Sequence, residues 1–449
     1  MLTRVLVANR GEIAVRVIRA LHEAHIEAVA VYSTADAGAL HTRLADRAVC
    51  IGPPPAAASY LNMASVIAAA QTTGCEAVHP GYGFLAENPA FVRACEDNGL
   101  VFIGPGADVM ARMGDKAQAK RELASAGVPL VPGAETQSAA EAQAAANDVG
   151  FPVLLKARAG GGGKGMRLVE DPAGLEDAYA RASSEALAAF GDGRLYLEKA
   201  IEPARHVEIQ VLADEDGGVL TLGERECSIQ RRHQKLIEES PSAAVDDEIR
   251  GSMEDAVARA CRHIGYANAG TFEFLLGADG AFYFIELNAR LQVEHPVSEL
   301  VTGIDIVREQ LRIADGAPLA VTGRAPRRGH AIEARINAED PSRNFAPSPG
   351  TIRRFRAPLG PGVRVDTHVE DGTTIPPHYD SLIAKLVVWD EDRPAAIERC
   401  LRALHELELE GVPTTRAAAI EIVGSDAFRS GSYSTGFLEE TQLDAVRVE

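Results

Sequence analysis

The stretch Lys156-Ala-Arg-Ala-Gly160-Gly-Gly-Gly-Lys164-Gly-Met166 is the densest glycine cluster in the chain. Residues without a Cβ let several backbone N–H groups converge on phosphate oxygens, and Lys156 and Lys164 add positive charge. A Walker loop would require Gly-Lys-Ser/Thr opening a helix, but Gly165 follows Lys164 and Met166-Arg-Leu-Val reads as a strand. Gly160, Gly162 and Gly165 match the dinucleotide fingerprint in spacing, yet the helix it requires is missing too. The remaining reading is a flap between two strands, closing over phosphates. A plain linker is the bland alternative, and apolar strands on both sides argue against it.

Working outward, Ser138-Ala-Ala-Glu141 is a capping box opening an Ala-rich helix, Phe151–Ala157 is a strand, and Asp171-Pro172 opens another helix. This block is a small α+β lid. Upstream, residues 2–8 form an apolar run ending in Asn9-Arg-Gly-Glu12, a helical repeat follows (Ile13, Val17, Leu21), and Ala28–Tyr32 is a second buried strand. Strand, helix, strand predicts a parallel α/β start. Further strands read at Ala77-Val78 and Val101–Ile103. The segment His79-Pro-Gly-Tyr82-Gly83-Phe-Leu-Ala-Glu-Asn88 follows the first of these, where ligand-binding loops of open parallel sheets lie. From about Arg205 the chain is strand-rich, and beyond Gly329 short strands mix with helices.

The second informative stretch is Glu286-Leu-Asn288-Ala-Arg290-Leu-Gln292-Val-Glu294. It alternates, with an apolar odd face and an even face of acids, amides and a guanidinium, which predicts a strand running to Glu294. A half-exposed sheet gives the same pattern. Glu273, in the otherwise apolar Thr271–Leu276, tips the balance. With a hairpin turn at Gly277–Gly280, Glu273 falls diagonal to Glu286, at ~7–8 Å, close enough for two carboxylates to share a cation. Oxygen donors suit Mg²⁺ or Mn²⁺.

The 449 residues predict two to four domains, and the formal charge of −19 excludes nucleic acid and an anionic membrane as main partners. The six cysteines form no Cys-x-x-Cys pair, no signal peptide or apolar run of ~18 residues is seen, and a cytoplasmic location is expected.

Asn9-Arg-Gly-Glu-Ile-Ala, His79-Pro-Gly-Tyr-Gly-Phe-Leu, the Gly160–Met166 flap, Arg205-His-Val-Glu-Ile-Gln, Arg231-Arg-His-Gln-Lys and Glu286-Leu-Asn-Ala-Arg-Leu-Gln-Val-Glu-His-Pro together resemble the biotin carboxylases, members of the ATP-grasp ligases. The resemblance runs from residue 2 to about 440. It implies an α/β fold with an N-terminal parallel-sheet (pre-ATP-grasp) domain over 1–113, an ATP-grasp domain over 114–330 with a mobile glycine-rich lid at about 131–203, and an α+β C-terminal domain over 331–446. Lys116, Lys156, Gly162, Gly163, Glu198, Lys199, Ile201, His206, Gln230 and His233 are then expected around ATP. Glu273, Glu286 and Asn288 are expected to hold metal, two Mg²⁺ or Mn²⁺ ions. Lys235, Arg290, Gln292, Val293 and Glu294 would hold bicarbonate, and Arg335, with Tyr82 and Gly83, would face biotin.

The implied chemistry is ATP- and bicarbonate-dependent carboxylation of biotin through carboxyphosphate. Glu294 would act as base, with Arg290, Lys235 and Arg335 completing the catalytic set. No Met-Lys-Met motif is present, so biotin is expected on a separate biotin carboxyl carrier protein. A carboxyltransferase would use it next, as in an acetyl-CoA or other acyl-CoA carboxylase of fatty acid biosynthesis. A homodimer is also expected. Two departures are mild: Ala159 stands where some members extend the glycine run, and Ala289 where Thr is frequent. The alternatives are another ATP-grasp ligase of the urea or carbamoyl-phosphate type, a non-catalytic nucleotide-binding regulator, and a dehydrogenase.

Overall fold

The computed structural model describes residues 2–157, 166–190, 192–232 and 234–441. The flap glycines, Gly162 and Gly163 among them, and His233 lie outside the described residues. Two compact units are present: residues 1–128, 205–274 and 286–449 form the first, and 129–204 with 275–285 form the second.

The first unit opens with β1 (Arg4–Val7), α1 (Gly11–Glu23), β2 (Glu27–Ser33), β3 (Arg47–Gly52), β4 (Ala77–His79), α2 (Pro89–Asp97) and β5 (Val101–Phe102). The strands lie in the order β3-β2-β1-β4-β5, all parallel. Their near-continuous apolar sequences have this cause: parallel sheets are covered on both faces. Asn88 caps α2 by accepting from the N–H groups of Ala90 and Phe91, with Pro89 in the first turn. Gly11 begins α1 at φ +69, a conformation that favours glycine, and so turns the chain directly from β1 into the helix.

The second unit holds β6 (Gly133–Thr136), α3 (Ala139–Val149), β7 (Val153–Ala157), β8 (Met166–Val169), α4 (Leu175–Phe190) and β9 (Leu195–Lys199). Its sheet runs β6-β9-β7-β8 with antiparallel pairs. Ser138 accepts from the Glu141 N–H as the capping box requires, but the Glu141 carboxylate reaches one residue further back, to the Gln137 N–H at 2.8 Å. Asp171-Pro172 opens a short 3₁₀ turn that leads into α4.

Most of the rest of the first unit is built on a nine-stranded sheet, in which residues 275–277 and 282–285 count with the second unit. Its main path joins β10 (Ala204–Ala213), β11 (Val219–Arg231), β12 (Gln234–Ser240), β13 (Asn268–Gly277), β14 (Phe282–Asn288), β15 (His330–Asn337), β16 (Val363–Thr367) and β17 (Leu382–Asp390) in the order β14-β13-β10-β11-β12-β15-β17-β16. Helix α5 (His295–Thr302) lies across β11, β12, β15 and β17, while α6 (Arg393–Glu406) and α7 (Arg416–Gly424) cover the other side of β15. On that other side Ile332, Ala334 and Ile336 join an apolar core with Ile397, Leu404 and Ile422. The face under α5 carries Glu333, Arg335 and Lys385. Among the described residues no helix is long and apolar enough to cross a membrane.

Two sequence expectations change here. The strand predicted to reach Glu294 ends at Asn288, and the chain then bends and turns so that Glu294 becomes the N-cap of α5, with Pro296 in the helix's first turn. Pro cannot donate to a sheet ladder but suits a first helical turn, and the alternation up to Val293 hid that switch. The odd residues also fail to form a clean buried face: Phe284 is buried, whereas Tyr283 and Ile285 are only partly so.

Candidate active site

The site grows from charges that a water-exposed strand would not need. On β10, alternate residues His206, Glu208 and Gln210 share one face, and all three are buried because the strand lies inside the sheet. Arg225 on β11 is fully buried and satisfied four ways: Nε donates to Glu208 at 2.5 Å, Nη1 to Gln210 at 2.7 Å and Ser298 at 3.0 Å, and Nη2 to Thr271 at 3.0 Å. A buried charge left unpaired is expensive, so this full set of partners allows the polar row to exist.

Lys235, near the start of β12, is the hub. Its Nζ donates to Glu208 at 2.6 Å, Glu294 at 2.6 Å and Glu273 at 3.0 Å. Burial opposes its charge, but Cys227, Glu208, Glu294 and Glu273 outweigh that and raise the ammonium well above its ordinary range. Gln230 sits opposite Lys235 across the β11–β12 hairpin.

Glu294 is fully buried between two cations, Lys235 and Arg335, whose Nη2 donates to it at 2.8 Å. Burial works to raise it, yet Lys235, Arg335 and Arg225 hold its carboxyl well below the ordinary range. Arg335 also donates to Glu238 at 2.5 Å, where burial pushes the carboxyl up to about 7 against the pull of Arg335. Across the β15–β17 pair Arg335 faces Lys385, whose Nζ donates to the Val293 carbonyl at 3.0 Å. The turn that carries Glu294 is thereby fastened.

Arg290 is held flat by its neighbours. Nε donates to Glu87 at 2.8 Å, Nη2 to Asn288 at 2.9 Å and Nη1 to Gln292 at 3.1 Å. Glu87 also accepts from the Ala289 N–H at 3.1 Å. The loop carrying Glu87 is itself pinned, because Asn9 Nδ2 donates to the Pro80 and Tyr82 carbonyls at 2.7 Å each, and the Tyr82 hydroxyl donates to Glu12. Gly83 follows at φ +67 and is exposed.

The expected metal ligands have different partners. Glu273 accepts from Lys235, from Asn288 at 2.9 Å and from Gln292 at 3.1 Å, and lies 3.0 Å from His206 Nε2. Glu286 is half-exposed and pairs loosely with Lys116 at 3.6 Å. Glu273 groups instead with His206 and Glu208, whose ligand atoms come within 4.8 Å of one another. The Lys235 ammonium already sits where a cation would neutralise that trio. Of the three expected ligands, Asn288 donates to Glu273, while the half-exposed Glu286 is held only by the long pair with Lys116.

In the second unit Lys156 pairs with Glu198, and Lys199 donates to the Gly150 and Phe151 carbonyls at 3.1 and 2.7 Å. Ile201 follows β9 and is partly buried. The residues that sequence reasoning passed over are those that hold others: Glu87 behind Arg290, Arg225 behind Glu208, Glu238 behind Arg335, Glu12 behind Tyr82, and Lys385 behind Val293. Glu87 and Glu12 stood within motifs already singled out; Glu238 and Lys385 carried no local signal.

Comparison with known proteins places the chain in a family. Three family models match in order: the biotin carboxylase N-terminal domain over residues 1–110, the carbamoyl-phosphate synthase L chain ATP-binding domain over 115–322, and the biotin carboxylase C-terminal domain over 333–440. The chain belongs to the biotin carboxylase family of ATP-dependent ligases. Biotin carboxylase of Nostoc sp. is 52% identical over 97% of this chain and 98% of its own length. A pyruvate carboxylase subunit of Methanothermobacter thermautotrophicus is 51% identical over 98% of this chain and 90% of its own length. The biotin carboxylase domain dimer of the Hydrogenobacter thermophilus 2-oxoglutarate carboxylase, solved with MgADP, ADP and bicarbonate, superposes with a TM-score of 0.89 at 48% identity, covering 98% of each chain.

Proposed function

We propose that the chain carboxylates biotin with ATP and bicarbonate, as the first half-reaction of a multi-subunit carboxylase. The observation that carries this reading is Glu294, a buried carboxylate fixed between Lys235 and Arg335 at the start of α5, in a chain of this family. Glu294 takes the bicarbonate proton. Its carboxyl is a weak base while both cations hold it, and it strengthens when an incoming anion competes for Lys235 or Arg335. Arg290 and Lys235 bind the anion, with Gln292 and Val293 shaping its seat. Bicarbonate attacks the γ-phosphate to give carboxyphosphate and ADP, a transfer that depends on positioning and charge neutralisation. Carboxyphosphate yields CO₂ and phosphate, phosphate deprotonates the ureido nitrogen, and that nitrogen attacks CO₂ beside Arg335, Tyr82 and Gly83.

ATP is assigned to Lys116, Lys156, Gly162, Gly163, Glu198, Lys199, Ile201, His206, Gln230 and His233. Glu273, Glu286 and Asn288 would hold Mg²⁺ or Mn²⁺, which supplies charge neutralisation at the phosphates. The domain borders are placed at 113 and 330, with the lid at about 131–203. Partners are a biotin carboxyl carrier protein and a carboxyltransferase, with a homodimer supported by the dimeric 2-oxoglutarate carboxylase domain. The final acceptor is an acyl-CoA such as acetyl-CoA; the likeness to a pyruvate carboxylase component makes a 2-oxo acid the competing choice. Six unpaired cysteines, five of them buried, suit a cytoplasmic setting. The test is bicarbonate-dependent ATP hydrolysis stimulated by free biotin, and absence of biotin stimulation overturns the reading.

A further inference from the structure

Glu333 has no part in the reaction just described, yet it is fully buried and, among the described residues, neither of its carboxyl oxygens has a hydrogen-bond partner. Its surroundings can be taken element by element. Directly opposite on β12 is Glu238, a like charge. On β17 the opposite residue is the apolar Val387, and Lys385 lies two positions along. That lysine already serves the Val293 carbonyl and pairs with Glu12 of α1 at 3.2 Å. On β15 itself Arg335 shares the face but is spent on Glu238 and Glu294. From α5 come Glu294 at its start and His295, which lies beside Lys385 and Asp366. On β16, Arg364 pairs with Asp366 and donates to Glu299 at 2.6 Å.

In this layer Glu12, Glu238, Glu294, Glu333 and Asp366 face Lys235, Arg335, Arg364 and Lys385, so the acids outnumber the bases. A carboxyl without donors, opposite another carboxyl, sheds its charge by keeping a proton. The same balance of burial, opposed by Lys385 and reinforced by Glu238, lifts Glu333 well above the ordinary carboxylate range.

We infer that Glu333 is a positioning residue that works as a neutral carboxylic acid: its proton leaves Arg335 committed to Glu238 and Glu294, and its ionisation draws Arg335 off Glu294. The inference rests on the biotin carboxylase reading for its activity readout only.

Glu333→Gln keeps the neutral shape and removes the titration. At neutral pH the wild-type-minus-variant infrared difference contains the C=O stretch of one buried protonated carboxyl, beyond what Glu238, pushed up to about 7, gives in both proteins. Because the folded chain holds a proton that the unfolded chain releases, wild-type stability falls as pH rises past the unfolded carboxylate range. The melting temperature of the variant relative to wild type therefore climbs between about pH 5 and 8. Turnover at neutral pH stays within about threefold, against the ~10²-fold loss expected for a proton-transfer group, and the alkaline limb of the pH–rate profile moves up. An unchanged carbonyl band, parallel melting curves, or a loss above tenfold in a folded variant overturns the inference. If the variant does not fold, the infrared spectrum of Glu238→Gln, which removes the other carboxyl pushed up in this pair, decides: a protonated band that remains at neutral pH and disappears on raising pH supports the inference, and its absence overturns it. A wild type with the band but no biotin-stimulated hydrolysis refutes the functional reading alone.

Discussion

Replacing Lys235 with Met removes one charge from the middle of three carboxylates while keeping a side chain of similar length. The ammonium lies 2.6 Å from Glu208 and Glu294 and 3.0 Å from Glu273. At an effective dielectric of ~20, each such pair attracts by about 6 kcal/mol gross. Most of that is cancelled by the cost of keeping the ions out of water, and breaking a buried pair by removing one partner costs ~3–5 kcal/mol net. The loss should depend on pH with a definite sign. Glu273 and Glu294, despite burial, are lowered chiefly by Lys235. Their contribution is present above the unfolded carboxylate range, near ~4.3, and is lost as pH falls through their folded values. The destabilisation of Lys235→Met is therefore largest at neutral pH and shrinks in acid. Urea-unfolding midpoints of both proteins measured from neutral to acidic pH provide the assay. A loss below ~1 kcal/mol at neutral pH, or one of equal size in acid, refutes the assignment of Lys235 as the hub.

Glu294→Gln should lower bicarbonate-dependent turnover by ~10²–10⁴-fold while nucleotide binding, read by calorimetry, is retained; near-normal turnover would sink the base role. Glu87→Gln frees Arg290 on one side, so KM for bicarbonate should rise ~10-fold with ADP affinity unchanged, the usual scale for a loosened positioning contact. Because Glu87 is exposed, its stability cost should stay under ~1 kcal/mol, checked by thermal melting. Chelation of divalent ions should abolish ATP hydrolysis and restoration of Mg²⁺ or Mn²⁺ should return it; Glu286→Gln should raise the metal concentration required, and an unshifted requirement would remove Glu286 from the ligand set.

The parallel start of the chain was legible because buried strands such as Ala28–Tyr32 are continuously apolar, and the Ser138 cap in the second unit because its chemistry is local. The course of residues 289–294 was not. Period-two alternation persists through Val293, and only Pro296, beyond the pattern, reveals that Glu294 begins a helix. The polar rows on β10 and β15 were harder still. His206-Val-Glu208 and Glu333-Ala-Arg335 look like one wet face of a half-exposed sheet, yet His206, Glu208 and Glu333 are buried and Arg335 is only partly exposed, and most of their charges are met by counter-charges from elsewhere. Those meetings are long-range: Arg290 finds Glu87 across 203 positions and Arg335 finds Glu238 across 97. Spacing within a motif carries no information about such partners, so it yields the motif residues more readily than the groups that hold them.

The bond from Lys385 to the Val293 carbonyl bears on how this chain can be cut and recombined. Lys385 belongs to the segment matched by one family model, Val293 to a second and Glu12 to a third, yet the three meet around one ammonium. Borders drawn along the sequence therefore pass through the cluster that sets the shape of the turn leading to Glu294. A hybrid assembled from segments of two relatives would inherit intact motifs and still misplace Glu294, unless residues 12, 293 and 385 came from the same parent.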